Sequence, residues 1–139
     1  MKFFRPTEQT KFHIDYNWFD EKGQDVNVLI QKYLTAEQLE RLGNSPNTTS
    51  YDYIDEDTGE VQHVNAAVKM IRDESAKAPD FISARTPVFE AAFRIFLVNN
   101  NKPLTTIELA AMMGRRSSDV LTQLSGRVVY NGIKPITMV

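Results

Sequence analysis

A chain of 139 residues, 42% apolar and 24% charged, holds enough material for one compact core or two small lobes. The absence of cysteine excludes disulfides and thiolate metal sites. No apolar run approaches the roughly 20 residues that span a bilayer, and "MKFFRPTEQTKFHIDYNW" lacks the apolar stretch of about 7–15 residues that marks a secretory signal, so a cytoplasmic, bacterial-type location with no membrane partner is expected.

The formal net charge of −2 is unevenly spread. Residues 1–80 carry 9 Lys/Arg against 15 Asp/Glu, whereas residues 81–139 carry 7 against 3. The expectation is an acidic N-terminal region over 1–80 and a basic C-terminal domain over 81–139 that faces an anion.

In chain order, the first dozen residues read as polar and loose. Lys11–Phe19 places Phe12, Ile14 and Tyr16 at period 2, which predicts a short strand running into a turn. Val26, Leu29, Ile30, Tyr33 and Leu34 define one face of an amphipathic helix near 25–34. Thr35 and Gln38 form a capping-box pattern that starts a second helix near 36–42, stopped at Gly43. "NSPNTTS" is a linker. "YDYIDEDTGEVQHV" predicts a hairpin near 51–64 with Gly59 in its turn, and a helix near 66–76 follows, capped by Asn65.

The C-terminal third is the most strongly patterned. Thr86 is placed to cap a helix with Pro87 at its first position, and Phe89, Phe93, Phe96 and Leu97 form its apolar stripe. "NNNKP" stops that helix. Thr105 and Glu108 make a capping box for the next one, which ends at Gly114. Ser117 or Ser118 can cap a third helix that stops at Gly126. "RVVYNGIKPI" then predicts a β-hairpin, because a type I′ turn needs positive φ at both central residues and Asn-Gly supplies it.

This order of helix, capped helix, Gly turn, capped helix and hairpin over Thr86–Ile136 resembles a winged helix-turn-helix DNA-binding domain. Ala110 and Gly114 sit four apart, where that family commonly has a small residue and the turn glycine, which allow close helix crossing and a left-handed turn. Leu109, Met113 and Val120 fall at usual buried positions. The next one falls on Gln123, with Leu121 and Leu124 beside it, so the register of the third helix is open by one residue. The resemblance implies an α+β protein with a C-terminal winged helix of three helices plus a hairpin wing, packed with a small acidic α+β N-terminal part. It implies a DNA-binding protein in a transcriptional or related regulatory role. The third helix would present its N-terminal residues to the major groove, with the wing lying along backbone or minor groove.

On that reading Arg115, Arg116, Ser117 and Ser118 contact phosphate, Thr122 and Gln123 reach base edges, and Arg127 and Lys134 extend from the wing. Four cations around the motif correspond to a log–log salt slope of about −3.6. One copy would bind weakly, so a homodimer or a protein partner is implied. The alternative is a non-enzymatic protein–protein interaction module on the same scaffold, with the arginines solvating a turn.

Other constellations carry less. From Asp55, a calcium loop would need Gly at its sixth position and Glu at its twelfth, but Glu60 and Ala66 stand there. The carboxylates Asp52, Asp55, Glu56, Asp57 and Glu60 therefore read as a solvated acidic hairpin. Two histidines, His13 and His63, fall short of a metal site. Trp18 and Phe19 read as core anchors. No nucleophile–base spacing suggests catalysis, and no cofactor or metal is expected.

Overall fold

The computed structural model describes residues 5–43, 50–54, 59 and 61–136. In chain order these form β1 (Lys11–Ile14), α1 (Asn17–Glu21), α2 (Val26–Gln31), α3 (Ala36–Leu42), β2 (Ser50–Ile54), β3 (Val61–Asn65) and α4 (Ala66–Asp73). A 3₁₀ turn at Ser75–Lys77 follows, then α5 (Val88–Val98), β4 (Leu104–Thr105), α6 (Thr106–Met113), α7 (Ser117–Leu124) and β5 (Ile133–Pro135). The architecture is mixed α+β, with a three-stranded antiparallel sheet in the order β4-β1-β5 and a separate β2-β3 pair. Among the described residues no helix is long and apolar enough to cross a membrane.

The chain divides into two compact units, but not at the expected boundary of 1–80 and 81–139. Met1–Gln24 joins Ile82–Val139, and Asp25–Phe81 forms the other unit. The reason is strand pairing. β1 is the central strand of the larger unit, with Phe12 opposite both Leu104 and Pro135, and Ile14 opposite Ile133. Its alternation holds for four residues only, burying Phe12 and Ile14. Tyr16 is exposed, and the expected strand continuation turns instead into α1. The turn is held by Asp15, whose carboxylate accepts from the Asn17 N–H at 3.1 Å and whose carbonyl accepts from the Trp18 N–H.

α5 meets β1, β5, α6 and α7 and forms the core of this unit. Phe93, Phe96 and Leu97 are buried as the stripe predicts, while Phe89 is only half-buried and meets Tyr130 edge-on at 4.9 Å between ring centroids. Phe19 is buried against Phe93, whereas Trp18 stays half-exposed on Phe19's edge. Thr86 does not cap α5. Pro87 holds the cap position, and the Thr86 hydroxyl instead accepts from the Ser83 N–H at 3.0 Å.

The helix ends at "NNN" because Asn100 and Asn101 take positive φ of 68° and 56°, a conformation asparagine tolerates better than most residues. Asn101 then does more than stop a helix. Its amide accepts from the Ile14 N–H at 2.8 Å and donates to the Ile14 carbonyl at 2.9 Å, extending the pairing of β1 where β4 has ended.

In the smaller unit, α2 is one turn shorter than its apolar pattern, capped by Asp25 through the Asn27 N–H. The Thr35–Gln38 capping box forms as expected, with its two bonds at 2.9 and 3.1 Å. Arg41 grips Glu74 through two nitrogens at 2.5 and 3.2 Å, which ties α3 to the end of α4. β2 and β3 pair antiparallel from Ser50–Asn65 to Ile54–Val61, and Gly59 has a φ of 74°. Asn44–Thr49 of the linker, and Asp55, Glu56, Asp57 and Glu60 of the acidic run, lie outside the described residues.

Candidate nucleic-acid interface

Local capping builds the α6–Gly114–α7 segment. Thr105 accepts from the Glu108 N–H at 3.2 Å and Glu108 accepts from the Thr105 N–H at 3.0 Å, which starts α6 as expected. Gly114 ends it in the left-handed conformation, φ 69° and ψ 39°, and lets the Arg115 N–H return to the Ala110 carbonyl at 3.0 Å. α7 buries Val120 and Leu124, four residues apart, against α5 and α6. Its apolar position is therefore Leu124, and Gln123 is exposed on the outer face. That fixes the register which the sequence left open.

α7 has no side-chain cap. Arg116 holds the cap position and Ser117 is already the first helical residue, so neither serine caps the helix as expected. The Ser117 hydroxyl donates to Glu8 Oε1 at 2.7 Å instead. Residues 5–10 are accordingly not loose. The Thr10 N–H bonds the Thr7 carbonyl at 3.0 Å and the Thr7 N–H bonds the Thr10 hydroxyl at 2.9 Å, which fixes the turn that carries Glu8.

The eight expected contact residues fare differently. Arg115 donates to the carbonyls of Ala84 at 2.7 Å and of Thr86, so its guanidinium braces the segment before α5. Arg116 is 86% exposed with Asp119 at 3.8 Å. Ser118 and Thr122 are exposed, the Thr122 hydroxyl donating back to the Ser118 carbonyl at 2.9 Å. One groove, lined by Gly114, Arg115, Arg116, Asp119, Thr122 and Gln123, brings five of the expected or neighbouring polar side chains together.

Arg127 and Lys134 lie in a second groove with Trp18, Glu21, Lys22, Val128 and Val129. The wing differs from expectation here. Its turn forms, with Asn131 at φ 54°, Gly132 at φ 70° and the Ile133 N–H on the Tyr130 carbonyl at 3.1 Å. No strand forms over Arg127–Tyr130, however, and β5 pairs with β1 instead. Proline explains the missing arm. Ile133 occupies a hydrogen-bonded position of the hairpin, so the next such position is Pro135, which has no N–H to give Val128.

Gly132 is needed for the pairing that does form. Its carbonyl accepts from the Asp15 N–H at 2.8 Å, and a Cβ at Gly132 would stand 2.8 Å from the Asp15 oxygen. Lys134 sits across from His13 and holds Asp15 Oδ2 at 3.1 Å. That hydrogen bond keeps the Asp15 carboxyl below its ordinary range. Burial lowers the His13 pKa, the Asp15 charge opposes this, and the Lys134 charge adds to it.

Sequence reasoning missed Glu8, Asp15, Lys22 and the half-exposed Trp18 as neighbours of the expected contacts. No local pattern signals them, since Glu8 meets Ser117 across 109 positions and Asp15 meets Lys134 across 119. Among the described residues, no group of three or more His, Asp or Glu is placed to hold a metal ion. No family model, curated protein or solved structure matches this chain.

Proposed function

We propose that this protein binds duplex DNA through the outer face of α7, in a transcriptional or related regulatory role. The observation that carries the reading is the division of that helix. Val120 and Leu124 anchor one side in the core, while Arg116, Ser118, Thr122 and Gln123 are exposed on the other beside an open groove. Arg116 supplies charge for phosphate, and Gln123 offers the paired donor and acceptor that suit an adenine edge. Arg127, exposed on the segment before the Asn131–Gly132 turn, adds a second contact in the manner of a winged helix. The reading entails a cytoplasmic location and a binding role without a catalytic centre.

With Arg115 braced on carbonyls and Lys134 held by Asp15, two exposed cations remain of the four, and the salt slope falls to about −1.8. Binding by one copy is weak, so a second copy or a protein partner completes a specific site. Fluorescence anisotropy with a generic labelled duplex tests this. Affinity should fall with added salt at that slope, and Arg116→Ala or Arg127→Ala should each flatten it by about 0.9. Absence of binding at low salt sinks the proposal.

A protein–protein interaction module is the second reading, and a specific observation favours it. Ile107, Met112 and Val128 are large apolar side chains 48%, 53% and 59% exposed. In that case the duplex does not bind, and Ile107→Ser or Met112→Ser weakens a protein complex instead.

A further inference from the structure

The head of α7 is where the DNA-binding reading puts a phosphate, and the chain already supplies an anion there. Glu8 sits on the Thr7–Thr10 turn and accepts the Ser117 hydroxyl at 2.7 Å. The first N–H groups of α7 have no side-chain cap, and the helix start favours negative charge. A phosphate that used Ser117 would compete with this carboxylate for the same hydroxyl and be repelled by its charge.

The charges around the helix head make that competition count. Arg115 is committed to the Ala84 and Thr86 carbonyls, and Arg116 lies 3.8 Å from Asp119. Glu8 is thus a further negative charge at a helix head whose cap residue, Arg116, is exposed. We propose that Glu8 is an autoinhibitory phosphate mimic, which the DNA backbone must displace from Ser117 before α7 can dock. This rests on the DNA-binding reading and specifies its regulation. Any change that lifts the Thr7–Thr10 turn from α7 raises affinity without adding a contact.

Glu8→Gln tests it, because glutamine keeps an acceptor for Ser117 and removes only the charge. The variant is compared with the unaltered chain and with Glu40→Gln, an exposed carboxylate of the other unit, in anisotropy titrations of a generic duplex. Thermal melts check that all three are folded. Glu8→Gln should bind about five-fold tighter, the size of one exposed charge contact, with Glu40→Gln unchanged. Equal gains in both variants, or no gain, overturn it while leaving the DNA reading intact. Weaker binding by Glu8→Gln also overturns it and makes Glu8 an anchor for the N-terminal turn. No binding by any of the three overturns both.

Discussion

Arg115 donates to the Ala84 carbonyl at 2.7 Å, so one of two adjacent arginines is spent on the fold and the other faces solvent. The pair looks equivalent in sequence. Structurally, Arg115 joins the α6–α7 turn to the segment ahead of α5, whereas Arg116 is 86% exposed with Asp119 at 3.8 Å.

Substitution separates the two. Arg115→Ala should lower stability by about 2 kcal/mol, since two carbonyls lose a charged donor. Arg116→Ala should stay within about 0.5 kcal/mol of the unaltered protein, as exposed sites do. Urea denaturation measures both. A larger loss from Arg116→Ala would contradict this assignment of roles.

Two glycines with nearly the same φ should respond differently. Gly132→Ala places its Cβ 2.8 Å from the Asp15 carbonyl oxygen and 3.0 Å from Phe19. Conformational strain and overlap together should cost about 3 kcal/mol. Gly114 has nothing within 4 Å of its missing Cβ, so Gly114→Ala should cost only the strain, about 1 kcal/mol. Comparing the two denaturation midpoints checks the order.

Asn101 is expected to matter through its amide rather than its backbone. Asn101→Gly retains the positive φ but loses both bonds to Ile14, and should destabilise by about 2 kcal/mol. Amide exchange at Ile14 should accelerate in the same variant. Unchanged protection there would show that β1 does not need this pairing.

The His13–Asp15–Lys134 cluster predicts acid sensitivity in two windows. His13 has its native pKa below the ordinary 6.5, so the unfolded chain takes up the proton first. Its contribution is fully present above pH 6.5 and declines as pH falls toward the native value. Asp15 is also lowered, from 3.8, so its contribution is present above that value and is lost as pH falls through the native one. His13→Gln should remove the upper window. Lys134→Gln should shrink both, because the lysine charge lowers both groups. Stability measured against pH, with NMR titration of the His13 ring, reads each window separately.

What was legible in the sequence was short in range. The Thr35–Gln38 and Thr105–Glu108 boxes, the Gly114 stop and the Asn131–Gly132 turn each involve residues within four positions, so their chemistry is complete in the local string. The α5 stripe was readable for the same reason, as helical spacing alone aligns Phe93, Phe96 and Leu97. Pro135 stood inside the predicted hairpin "RVVYNGIKPI", and the cost of its missing N–H to that ladder was not read there.

The tertiary structure decided where β1 belongs and which polar groups stay free. β1 chose partners about 90 and 120 positions away, and with it the boundary at Gln24 replaced the one at residue 80. Arg115, Ser117 and Lys134 were committed by contacts 31, 109 and 119 positions apart. Hydrogen bonds and ion pairs act over a few ångströms in space, so a charge's availability is set by what the fold brings beside it. The sequence by itself determined the α6 capping box, the Gly114 turn and the apolar face of α7 to within one residue. Packing of Leu124 settled that residue, and left Arg116, Ser118, Thr122 and Gln123 facing outward.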